Sequence, residues 1–64
     1  MNEETMRALV EIGINTRDFC GDETKAIGEH ASELGVTLDD NTRFIIMSRI
    51  DQEWERQKEQ ARRF

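Results

Sequence analysis

The sequence has no proline and no tyrosine, one cysteine (Cys20), one histidine (His30) and one tryptophan (Trp54). A single cysteine excludes a disulfide within the chain. One histidine and one cysteine cannot supply the four ligands of a structural zinc site unaided. No apolar run approaches the ~18 residues of a membrane span, and no basic start leads into an apolar stretch, so neither membrane segment nor signal peptide is expected. A free thiol suits a reducing compartment, which places the chain in the cytoplasm. Apolar and β-branched residues do not alternate, which leaves no strand pattern.

What is present is charge and helical periodicity. The chain has 64 residues and a net charge of −5. That charge is uneven: residues 1–40 hold ten acids and three bases, net −7, and residues 41–64 hold four acids and six bases, net +2. An acidic balance weighs against non-specific nucleic-acid binding, whose affinity comes mainly from neutralising phosphates. A chain this short forms one small domain, 1–64, and buries only about 60% of its unfolded surface. Small cores usually need a disulfide, a metal or a partner chain. With the first two set aside, either very good helix packing or self-association remains, and a homodimer is expected.

The pattern predicts an all-α fold of three helices, about 3–19, 23–34 and 39–62. Asn2 is positioned to cap the first helix, and Glu3 and Glu4 suit its positive end. Met6, Leu9, Val10 and Gly13 form its apolar stripe, widened by Ile12 and Phe19. Gly13 costs about 1 kcal/mol relative to alanine in a helix, which fits either close approach of a neighbouring helix or simple tolerance. Gly21 suits the left-handed position after this helix, and Asp22 the next cap. Ile27, Ala31 and Leu34 share a face of the second helix, with His30 beside them. Gly35 ends it, and Val36 is placed to fold back on it.

Before the third helix, Thr37 and Asp40 form a possible capping box, with Asp39 as the rival cap. Met47, Ile50, Trp54, Gln57, Ala61 and Phe64 then follow alternating steps of four and three, a heptad-like seam, which Phe44 and Ile46 broaden at its start. This helix is about 25 residues, or close to 37 Å, longer than its neighbours can cover. The seam beyond them is therefore read as a surface for another polypeptide, in the simplest case helix three of a second copy. The alternative is that the C-terminal turns fray in solvent.

Little in the sequence suggests catalysis. Cys20 and His30 could form a nucleophile and base, but they lie ten residues apart across a break with no third positioned group. A lone cysteine at a helix end is more often a packed apolar residue. A metal site built from His30 with Asp22, Glu29 or Glu33 is equally poorly supported. No phosphate-binding glycine loop is present. No enzyme, no cofactor and no metal is the expectation.

One motif has more content. In "HASELGVTLDDNTRF", Ala31, Leu34, Gly35, Val36, Thr37 and Arg43 follow the order of a helix-turn-helix DNA reader. Asp39 and Asp40 then stand at the start of the would-be recognition helix, facing phosphate, and Asn41 takes a place where an aliphatic residue is wanted. A small DNA-binding transcriptional regulator, with Arg43, Arg49 and Arg56 as its positive strip, is thus the alternative reading. The bland reading of those arginines is pairing with acids on the same helix.

The runs "LVEIGINTRDFC" and "HASELGVTLDDNTRFIIMSRID" resemble a small early-region protein of lambda-like bacteriophages, of the kind encoded between the exonuclease and excisionase genes. The resemblance spans most of the chain without a motif of fixed spacing. It implies an all-helical protein of the host-cell cytoplasm, made early in lytic growth. Such a protein biases lysis against lysogeny and interferes with host replication or the cell cycle. No catalytic residue comes with it. The function expected is then non-enzymatic: contact with a host or phage protein.

Overall fold

The computed structural model describes residues 2–62. Three helices follow one another: α1 (Glu3–Asp18), α2 (Glu23–Glu33) and α3 (Asp40–Arg62). No strand occurs among the described residues. The helix ends fall within one residue of those read from the sequence. None of the helices is long and apolar enough to cross a membrane.

Each start has a capping side chain. Asn2 Oδ1 accepts a hydrogen bond from the Thr5 amide at 2.8 Å, and Asp22 Oδ1 one from the Lys25 amide at 3.1 Å. At α3 the cap is Asp39, which accepts from the Thr42 amide at 2.7 Å. The Thr37–Asp40 box does not form, because α3 begins at Asp40 and only Asp39 stands just outside it. The Thr42 bonds hold the Asp39 carboxyl below its ordinary pKa. A depressed carboxyl pKa gives stability that is present above its unfolded pKa and lost as pH falls through the folded one. Acid titration followed by circular dichroism should therefore show part of the loss below about pH 4 disappearing in Asp39→Asn. An unchanged acid limb would refute this.

The helix ends differ in one respect from expectation. After α2, Gly35 takes the left-handed conformation (φ 71°). The Val36 amide donates to the Ala31 carbonyl at 2.8 Å, and the Gly35 amide to Ser32 at 3.1 Å. Val36 is thereby folded onto the core, as a Schellman closure requires. After α1 the same closure occurs one residue early. Cys20, not Gly21, has positive φ (57°), and the Gly21 amide donates to the Thr16 carbonyl at 2.9 Å. Gly21 is needed for a different reason: a Cβ there would come within 2.9 Å of Thr16 Cγ2. A non-glycine residue in the left-handed region costs about 1–2 kcal/mol, and glycine adds back roughly 0.5–1 in unfolded-state entropy. Cys20→Gly should accordingly raise the urea midpoint, by about 0.5–1 kcal/mol of stability. A lowered midpoint would show that the thiol packs better than its exposure suggests.

The core is built on α1. Leu9, Val10 and Ile14 from α1, Ile27 and Ala31 from α2, and Ile46 and Ile50 from α3 are its buried residues. Met6, Val36, Leu38, Met47 and Trp54 pack around them, half-buried. Both α2 and α3 lie against α1, yet no Cα of α2 comes within 8 Å of one of α3 among the described residues. Gly13 makes the α1–α3 crossing possible. A Cβ at that position would run into Ile50 Cδ1 and come within 3.2 Å of Ile27 Cδ1. Of its two readings, close helix approach is the one the fold uses.

Candidate interaction surface

Where α1 meets α2 and α3, one guanidinium links all three. Arg17 Nε donates to Glu23 Oε2 at 2.7 Å and Arg17 Nη2 to Glu23 Oε1 at 2.8 Å, a two-pronged pair between α1 and α2. The same Nη2 reaches Asp51 Oδ1 on α3 at 2.8 Å. The Arg17 guanidinium also lies 5.6 Å from the centre of the Trp54 ring, while Lys58 Nζ sits 5.0 Å from it. Such cation–π contacts are worth about 0.5–1 kcal/mol at exposed sites. The Glu23 bonds, then Asp51, push the Arg17 pKa further above its already high value. In this clamp the two-pronged Glu23 pair ties α1 to α2, and the Asp51 bond and the Trp54 ring add a lighter contact to α3. Nothing in the one-dimensional pattern marks it, because its members are six and thirty-four residues apart.

Past Trp54 the helix runs clear of the core. Residues 55–61 are all exposed. α3 is 23 residues long, about 35 Å at its usual rise, within a molecule 41 Å in its longest dimension. The predicted seam therefore divides. Ile50 is fully enclosed in the chain's own core, Met47 and Trp54 are half-buried, and Gln57 and Ala61 are exposed. Phe64 lies outside the described residues. Phe44 does not broaden the seam: it is 71% exposed. At 100° per residue it points well away from the Ile46–Ile50 stripe.

On one side of the α1–α3 crossing lies a groove of about 610 Å³. Val10 and Ile14 form its floor, Arg7 and Glu11 stand on the α1 rim, and Arg49, Glu53 and Gln57 form the α3 wall. A second hollow, of only about 20 Å³, opens between α2 and α3 beside Ile27, Leu38, Ile46 and Met47, with Arg43 at its edge.

The arginines proposed for DNA contact are mostly engaged. Arg49 Nη1 pairs with Glu3 Oε1 at 2.7 Å, across to α1, and Arg56 Nη1 with Glu53 Oε1 at 3.3 Å along α3. Arg43 is exposed and makes no ion pair among the described residues. The connection is also unlike a helix-turn-helix unit: residues 34–39 separate α2 from α3, where a turn of three or four residues is usual. Cys20 is exposed in the α1–α2 turn, and His30 stands in the last turn of α2, its Nδ1 3.7 Å from Glu33 Oε2. No three His, Cys, Asp or Glu side chains converge on a possible metal position among the described residues. Comparison with known proteins finds no matching family model, no matching curated protein and no matching solved structure.

Proposed function

We propose that the chain is a non-enzymatic binding protein that works through protein–protein contact. It self-associates through the projecting end of α3 and engages a host or phage protein, the role implied by its resemblance to phage early-region proteins. One observation carries this reading: past Trp54, α3 continues for about two turns in which residues 55–61 are all exposed. An isolated helical segment so short is marginal in water, so rigid projection gains most when a second polypeptide completes it. The helix-turn-helix reading has weaker support, since two of its three arginines face carboxylates of the same chain.

Two measurements test the proposal. Sedimentation velocity at micromolar concentration is expected to show a dimer that Ala61→Glu weakens. The host or phage partner is expected to be retained on the immobilised wild-type chain and released from the same variant. A wild type that stays monomeric and retains nothing that Ala61→Glu releases would end the reading.

A further inference from the structure

We draw no further inference here: the strongest candidate, the exposed apolar pair Phe44 and Ile45 on the uncovered side of the first turns of α3, carries nothing, because nothing in the structure shows what covers it.

Discussion

Ile50→Ala is expected to abolish cooperative unfolding at 25 °C, leaving most of the chain without fixed tertiary structure. Ile50 has no exposed surface and meets α1 at Gly13, where its side chain fills the space a Cβ would need. Truncating a fully buried isoleucine costs about 2–5 kcal/mol, the larger values arising where neighbours cannot collapse into the void. Collapse is difficult here, because one wall of the void is a glycine with no side chain to move in. The whole stability of a 64-residue unit is only on the order of 3–10 kcal/mol. The loss is therefore comparable to the total. Urea titration by circular dichroism, at fixed protein concentration because dimers shift the midpoint, reads this directly. A midpoint within a few tenths of a molar of wild type would show that the crossing is not the keystone described. The partner residue gives an internal check. Gly13→Ala gains about 1 kcal/mol of helix propensity but crowds Ile50, at an overpacking cost of about 1–3 kcal/mol. It should be better tolerated in an Ile50→Val background, which lacks the crowded Cδ1 methyl. Coupling between the two changes of about 0.5–1 kcal/mol or more is expected.

The second large effect is expected at Arg17. Arg17→Met keeps the apolar stem but removes the bonds to Glu23 and Asp51 and the cation above Trp54. Hydrogen bonds to charged groups contribute about 1.5–3 kcal/mol when enclosed. Asp51 is well exposed and adds little, so the net loss should be about 2 kcal/mol, mostly from Glu23. Arg17→Lys should recover only a small part, because an ammonium cannot span two carboxylates with a planar fork. The guanidinium pKa is raised on folding. With the carboxylates ionised its contribution is thus complete up to its unfolded value, and on the alkaline side it is lost only in strongly alkaline solution. The distinguishing readout is optical: Trp54 emission should shift to the red in the native state, before any denaturant is added, as the ring loses the guanidinium that lies over it. An unshifted spectrum with an unchanged midpoint would mean the clamp is ornamental.

The residues that could be read without coordinates were those acting locally. Asn2, Asp22 and Gly35 mark ends because capping and left-handed closure depend on neighbours within three or four positions. The buried stripe of α1 was visible for the same reason: period 3.6 is a property of one helix. Local pattern does not separate near-equivalent neighbouring positions. Cys20 and Gly21 differ by one residue, and the register was decided by where Thr16 sits, a detail of α1's last turn. Asp39 outdid the Thr37–Asp40 box because α3 begins one residue later than expected. Apolar character alone would put Phe44 on the seam, but its angle on the helix turns it to solvent, where it is 71% exposed. The long seam itself was legible, but its division was not. Only packing shows that Ile50 is enclosed by α1 while Gln57 and Ala61 remain outside. The Arg17 clamp was hidden altogether, since no pattern in a sequence announces that residues 17, 23, 51 and 54 will meet.

The arrangement in which α2 and α3 each rest on α1, but not closely on one another, has a consequence for how the molecule breathes. Detaching either outer helix leaves the other still docked, so the chain should possess two distinct partly open forms. Amide protons of α2 and of the first half of α3 should then exchange with separate opening free energies, while those in the middle of α1 wait for global unfolding.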